Sequence, residues 1–200
     1  MALANVESRW LLRMMKYIWN LLLVVVVFLL LAPLMLIVAI AVRLTSEGPI
    51  LHWSNRVGKN SKIFKMPKFR SMSIETPNVA THLLENFSFY LSPIGSFLRR
   101  TSLDELPQLF SVLKGDMSFV GPRPALFNQK DLIAVRKEKG VDKILPGITG
   151  LAQVNGRDEL AIPEKVALDA EYLKRKSFWF DIKILWLTFL KVLKRDGVSH

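Results

Sequence analysis

The hydrophobic pattern along the chain opens with one unbroken apolar block. From Leu21 to Val42 no side chain is polar or charged, and a helix over that run reaches roughly 33 Å, enough to cross a hydrocarbon core. Taken alone, the run predicts a transmembrane helix. Pro33 lies inside it, where it removes a backbone hydrogen bond and crowds the carbonyl of Leu29, so a kink is expected. Arg9, Arg13 and Lys16 precede the block, and Arg43, Arg56, Lys59, Lys62, Lys65, Lys68 and Arg70 follow it. Both flanks therefore carry the basic signature of a cytoplasmic side. A helix that dips in, breaks at Pro33 and returns to the same face satisfies both observations, each arm of roughly 18 Å passing mid-depth of the near leaflet. A cleaved signal peptide is the competing reading, since Ala39-Ile40-Ala41 has the look of a cleavage site. The run is too long for that, and the basic segment behind it opposes export.

Beyond the block the pattern becomes that of a small mixed domain. Lys59 to Met72 mixes Ile63, Phe64, Met66 and Phe69 with basic residues and predicts an extended stretch near the membrane face; its plainer reading is a basic surface attracted to anionic lipid. Thr76-Pro77-Asn78 and Ser92-Pro93-Ile94-Gly95 are turns, and the rest of Ile74 to Tyr90 is a variable loop or short helix. Ser102 with Glu105 three residues later fits a capping box. Leu103, Leu106, Leu109, Phe110 and Leu113 then recur at helical spacing up to Gly115. Asp131 to Lys143 predicts an exposed helix ended by Gly140. Pro146, Gly147 and Gly150 make a tight turn before Leu151 to Arg157, and Glu164 to Ser177 is helical. The last helix, Phe178 to Arg195, projects Phe178, Trp179, Ile182, Leu185, Trp186, Phe189, Leu190, Val192 and Leu193 onto one apolar face, opposite Asp181, Lys183, Thr188, Lys191, Lys194 and Arg195. Those charges forbid spanning. The helix either lies in the headgroup plane or packs on the protein core.

Composition narrows the class. Two hundred residues that are 50% apolar allow one globular domain plus a membrane segment. The division expected is residues 1–45 for the membrane helix and 46–200 for a cytoplasmic domain. A net charge of +11 calls for an anionic partner. No nucleic-acid motif appears and the basic residues track the membrane segments, so nucleic acid is not the partner expected. With no cysteine there is no disulfide framework or thiolate metal site, and His52, His82 and His200 lack the paired spacing of a zinc site.

The candidate chemistry sits in Thr101 to Pro124, TSLDELPQLFSVLKGDMSFVGPRP. Asp104 and Glu105 fall in the predicted first helical turn, where free N–H groups and the helix dipole favour an ionised carboxylate. Such a group is a cap, a nucleophile or a metal ligand, and spacing alone favours the cap. Pro107 makes that first turn irregular. Gly121-Pro122-Arg123-Pro124 is a stiff loop that aims one guanidinium and suits phosphate binding. Arg99 and Arg100 directly before the acidic pair read as a salt-bridged surface.

The continuous run L-D-E-L-P-Q, K-G-D-M-S and G-P-R-P, followed downstream by PGITGLAQVNGR, resembles the bacterial sugar transferase family, the monotopic phosphoglycosyl transferases. K-F-R-S-M, at residues 68 to 72, is another of its recurrent pieces. The likeness covers Arg56 to the C-terminus, with a compositional echo in the membrane segment. It implies an α+β, mainly helical, monotopic membrane protein with a re-entrant N-terminal hairpin, a small catalytic domain and interfacial amphipathic helices. Where many members have serine before the hairpin proline, this chain has Ala32. The implied reaction takes a UDP-sugar and a polyprenol phosphate, undecaprenyl phosphate above all, to a polyprenyl-diphosphate sugar and UMP at the cytoplasmic face of a bacterial inner membrane, initiating assembly of a surface or glycoprotein glycan. By the resemblance Asp104 is the nucleophile, and Glu105 helps hold Mg²⁺ or handles a proton. Arg123 and Arg99 meet the diphosphate, and Lys68 and Arg70 lie near the active site. Asp116 is a further contact, and Arg157 presents a cation to phosphate or nucleobase unless it belongs to a plain hairpin. Asp169, Tyr172 and Ser177 match a downstream family pattern with no assigned chemistry. The alternative to an enzyme is a peripheral membrane scaffold of a glycan assembly complex. Neither the sugar nor the oligomeric state is written in a readable motif.

Overall fold

The structure, a computed structural model, describes residues 2–77, 87–156 and 160–194, with side chains described from Val24 to Val192 apart from Phe87. The first element is one long helix, α1, Ala2–Thr45, with Pro33 inside it. The hairpin expected at Pro33 is not shown. Val24, Met35, Val38 and Val42 are buried, with Phe28, Leu31 and Ala39 half-buried between them, so a stripe at alternating spacings of three and four faces the rest of the protein. Pro33 itself is on the exposed side. Both halves of the helix are thus held by packing on the same domain, which carries the chain through the one hydrogen bond the proline removes. The outward face is bare apolar surface, Leu29, Leu30, Leu36, Ile37 and Leu44 among it. Val24–Thr45, with a mean hydropathy of 3.2, is long and apolar enough to cross a membrane.

The strands β1, Leu51–Val57, and β2, Ile63–Phe69, form an antiparallel hairpin in which Ser54 faces Met66 and His52 faces Lys68. Its connection places Asn60 and Ser61 in the left-handed region, the geometry that reverses the chain tightly. The short helices α2, Gly95–Arg100, and α3, Gln108–Leu113, follow. Met35, Val38 and Val42 of α1 close over Phe69 and Leu98 as one core cluster, with Leu103 and Leu106 packed against it. Helix and hairpin therefore clamp the Leu103 to Leu106 segment between them.

Strand β3, Ser118–Val120, leads through Gly121–Pro124 into β4, Ala125–Leu126, which extends the hairpin sheet by pairing with β1. Helix α4, Lys130–Glu138, ends at Gly140, whose positive φ stops it as the sequence predicts. Strand β5, Gly147–Thr149, pairs in parallel with β3, and α5, Leu151–Val154, leaves it directly. The hairpin alternative for this stretch is thereby replaced by a strand running into a helix.

Helices α6, Ile162–Arg175, and α7, Phe178–Lys194, complete the fold. The second core gathers Val120, Val154, Tyr172, Phe180 and Ile184. Tyr172 ties three elements together, its hydroxyl 2.8 Å from Asp181 Oδ1 and 3.1 Å from the Val120 carbonyl. Burial pushes this phenol well above its ordinary range, with Asp181 adding to the effect. The two readings of α7 turn out to be complementary. Phe180 and Ile184, which fall outside the predicted apolar face, are the side chains that enter the core. Of the predicted face, Leu185 packs against that core, while the aromatics stay exposed, Trp179 at 78% and Trp186 at 59%.

Candidate active site

Ser102, the residue before the acidic pair, has φ 56° and makes no capping hydrogen bond. The predicted capping box is therefore not formed. Leu103–Glu105 is a single 3₁₀ turn, and α3 begins only after Pro107, which has no N–H and can enter a helix only at its first positions. Asp104 accordingly sits ahead of the helix rather than in its first turn, so the helix dipole gives way to discrete cations as the source of charge stabilisation. A left-handed non-glycine residue costs about 1 kcal/mol, and strain of this sort gathers at functional sites.

The cations arrive from two other elements. Lys68 of β2 sets its Nζ 2.7 Å from Glu105 Oε1 and 3.8 Å from Asp104 Oδ2. Arg123, from the loop between β3 and β4, grips Glu105 with both arms of its guanidinium, Nη2 to Oε1 at 2.7 Å and Nη1 to Oε2 at 3.3 Å. Such bidentate geometry is the strong form of the ion pair. Asp104 and Glu105 are only 4% and 8% exposed. Burial pushes the Asp104 carboxyl above the ordinary range. Lys68 pulls it back, Glu105 pushes it further up, and Arg99 and Arg123 lower it. Lys68 is shifted down by its own burial, against the pull of Glu105 and Asp104. His52, its cross-strand neighbour, is lowered by burial and by the charge of Lys68.

The loop that aims Arg123 is seated by close backbone contact. Gly121 N–H donates to the Thr149 carbonyl and Gly147 N–H to the Pro122 carbonyl, each at 2.9 Å. A methyl group on Gly147 would lie 2.1 Å from the Gly121 nitrogen. Only glycine lets the two strands approach so closely.

Glu105 also lines a cleft of about 1160 Å³, its open mouth included, that runs to α1. Its walls are largely apolar: Val27 and Leu31 of α1, Leu106, Leu109, Phe119, Ile148, and Val192 of α7. Besides Glu105 its polar members are Arg100, Ser102, Thr149, Gln153, Thr188 and Lys191. A carboxylate held by cations on the wall of a largely apolar cleft suits an amphiphile with an anionic head.

The expected site residues divide into three groups. Asp104, Glu105, Lys68, Arg123 and Arg99 converge. Arg70 does not join them: it is buried against the end of α1, donating to the Ser46 carbonyl and Oγ at 2.7 Å each. Asp116 is partly exposed and paired with Lys114 at 3.6 Å. Arg157 lies outside the described residues. Lys191 and Gln153 of the cleft were missed, as was the buried pair Arg136–Asp169 at 2.7 Å. For Arg136 a signal existed, because it stands four residues after Leu132 on the buried side of α4. Among the described residues no three carboxylate, histidine or cysteine groups come together as a metal cluster. Mg²⁺, however, is commonly held by one or two carboxylates with substrate phosphate oxygens completing the shell, a pattern the acidic pair fits.

Comparison with known proteins places this geometry in context. Residues 11–195 match the profile of a family described as bacterial sugar transferase. The chain is 42% identical to an Escherichia coli (strain K12) UDP-glucose:undecaprenyl-phosphate glucose-1-phosphate transferase, over 90% of this chain and 40% of that protein. It is 38% identical to the undecaprenyl-phosphate galactose phosphotransferase of Salmonella typhimurium, over 98% of this chain and 43% of that protein. It is 40% identical to the uncharacterized sugar transferase EpsL of Bacillus subtilis, over 80% of this chain and 77% of that protein. The chain thus spans about two fifths of the length of the first two relatives.

Proposed function

The chain belongs to the bacterial sugar transferase family, and from that premise we propose that it moves a sugar phosphate from a UDP-sugar to a polyprenol phosphate, undecaprenyl phosphate in particular. The products are a polyprenyl-diphosphate sugar and UMP, the first membrane-bound step of a bacterial surface or glycoprotein glycan. The observation that carries this reading is the acidic pair set among cations, with Glu105 on the wall of an apolar cleft that reaches the membrane helix. The test is UMP release over a panel of UDP-sugars with polyprenyl phosphate in detergent. Turnover with at least one sugar is expected, and none with any sugar, from a protein that still binds membranes firmly, would favour the scaffold.

In the proposed mechanism an Asp104 carboxylate oxygen attacks the sugar-linked phosphorus of the UDP-sugar. The bond from that phosphorus to the bridging oxygen breaks, and UMP leaves with the electron pair. The resulting aspartyl-phosphosugar is then attacked by an oxygen of the lipid phosphate, which takes the phosphosugar and frees Asp104. Dividing one displacement into two is the ordinary gain of covalent catalysis. Lys68 keeps Asp104 ionised in its buried setting, and Arg99 and Arg123 meet the diphosphate charge that a carboxylate nucleophile must approach. Glu105 fixes both Lys68 and Arg123 through its two oxygens. Mg²⁺ would be held by Asp104 and phosphate oxygens, with Glu105 joining if it exchanges a cation, and would neutralise charge on the transferring phosphate.

This arrangement gives a pH prediction. Activity requires ionised Asp104, whose carboxyl is already raised, so the acid limb of kcat/KM lies above the ordinary carboxylate range near 3.9. Lys68 lowers that carboxyl; removing its charge raises it further. Lys68→Met is expected to move the acid limb to higher pH, with kcat falling about 100-fold. A pH profile of unchanged shape would separate Lys68 from the ionisation of Asp104.

We further propose that the protein is monotopic on the cytoplasmic face of the bacterial inner membrane, with both ends of α1 on the cytoplasmic side. Support comes from the stripe Val24 to Val42. It keeps α1 packed for about five turns against the domain bearing Lys68, Asp104 and Glu105, and a perpendicular crossing would draw those charges toward hydrocarbon. The exposed aromatic face of α7 suits the headgroup layer. Single cysteines placed at Asn5 and Asn60 are expected to react only with a cytoplasmic-side reagent. Labelling of residue 5 from the periplasm would establish a span instead.

A further inference from the structure

The loop Pro122–Pro124 has an unusual problem: two of its three residues lack an N–H, so it must be held by its carbonyls. All three are engaged, each by a different element. Gly147 N–H of β5 donates to Pro122 at 2.9 Å, Arg136 Nη1 of α4 to Arg123 at 2.8 Å, and Arg56 Nη1 of β1 to Pro124 at 3.2 Å. The middle contact lies on the residue whose guanidinium grips Glu105. Arg136 is itself fixed from behind by Asp169 of α6, its Nε and Nη2 donating to Asp169 Oδ2 at 3.0 and 2.7 Å. Arg136 is 8% exposed and Asp169 1%. Burying two charges is costly, and an apolar pair of similar volume often gives equal or greater stability. The ion pair is therefore hard to explain by stability alone, whereas an apolar pair could not donate to the Arg123 carbonyl.

We propose that Arg136 and Asp169 are positioning residues of the transfer reaction, forming a relay from α6 through α4 that sets the backbone of Arg123 and hence the placement of its guanidinium beside Glu105 and the diphosphate. The assignment rests on the transferase reading. It gives Asp169, whose sequence pattern carried no chemistry, a defined task. A displacement of about 1 Å at a group that positions substrate can cost on the order of 100-fold in rate.

The experiment is a double-mutant cycle on the full chain, reading UMP release and thermal unfolding together. One variant is Arg136→Lys, which retains a charge for Asp169 but cannot serve both it and the Arg123 carbonyl with the guanidinium's fixed fork. The second is Arg136→Met combined with Asp169→Leu, which removes the donor without leaving a buried charge and so keeps the test available if the first fails to fold. Each is made in the wild type and in an Arg123→Lys background. The expected result is a loss in kcat of about 10- to 100-fold in the wild type, with the unfolding temperature of the Met/Leu variant preserved, and a loss under about 3-fold in the Arg123→Lys background. Equal losses in both backgrounds, or full activity from the folded Met/Leu variant, would overturn the relay. A wild type that releases no UMP would remove the transferase reading and the relay with it, whereas additive losses in an active enzyme would remove the relay alone.

Discussion

Asp104→Asn is expected to lower UMP release by about 1000-fold or more while leaving the protein as stable as before or more so. The first half follows from chemistry: asparagine has nearly the same size and fills the same buried site, but its amide oxygen is a poor nucleophile and carries no charge to balance Lys68. The second half follows from linkage. Burial raises the Asp104 carboxyl above its unfolded value, so the folded state disfavours the ionised form, and at neutral pH that carboxylate weakens folding. Removing it should not lower the unfolding temperature. Loss of function without loss of stability is the signature of a group kept for chemistry. A variant with activity within about tenfold of wild type would exclude Asp104 as the nucleophile.

Arg123→Met is expected to cost about 100- to 1000-fold in kcat, together with some stability. Its guanidinium engages both oxygens of Glu105. Without it Glu105 keeps Lys68, which must then serve two carboxylates, and the diphosphate loses a cation where charge develops. Breaking a fully buried pair from one side costs about 3–5 kcal/mol. Here the Arg123 side chain is 21% exposed, so a loss of roughly 1–3 kcal/mol is the fitting expectation once solvent screening is counted. Arg123→Lys retains the charge but not the fork and should fall between. Wild-type activity in both the methionine and lysine variants would show that neither charge nor fork of this residue matters in the rate-limiting step.

Local pattern predicted much of the scaffold. The apolar block became α1, the charged run after Asp131 became α4, and the two glycines at 115 and 140 have the positive φ that ends a helix. The pairing of Asp104 with Glu105 was legible as a candidate because the two are adjacent, and the exposed aromatic face of α7 because its aromatics recur at helical spacing. What escaped depends on partners distant in sequence. Ser102 and Glu105 have the spacing of a capping box, but Glu105 is captured by Lys68, 37 residues away, and Arg123, 18 residues away. Ion pairs of that range outcompete a local cap and leave no trace in the local pattern. Arg70 reads like one more basic residue until α1 brings Ser46 to it. Strands β3 and β5 have three residues each, too few for an alternation to register, and their parallel pairing is set by the contact of Gly121 with Gly147. At Pro33 the chain stays assigned to one helix, with packed residues on both sides of the proline.

The proposed role of Asp104 as carrier of the phosphosugar between donor and lipid is tested most directly by single-turnover chemistry without the acceptor. Wild-type protein given its UDP-sugar with no polyprenyl phosphate should release UMP in a burst of about one per active site. It should also hold a hydroxylamine-sensitive phosphosugar on the peptide containing Asp104, a label absent from Asp104→Asn. UMP appearing only after polyprenyl phosphate is added, with no label on that peptide, would contradict the account and point to direct attack by the lipid phosphate in a ternary complex.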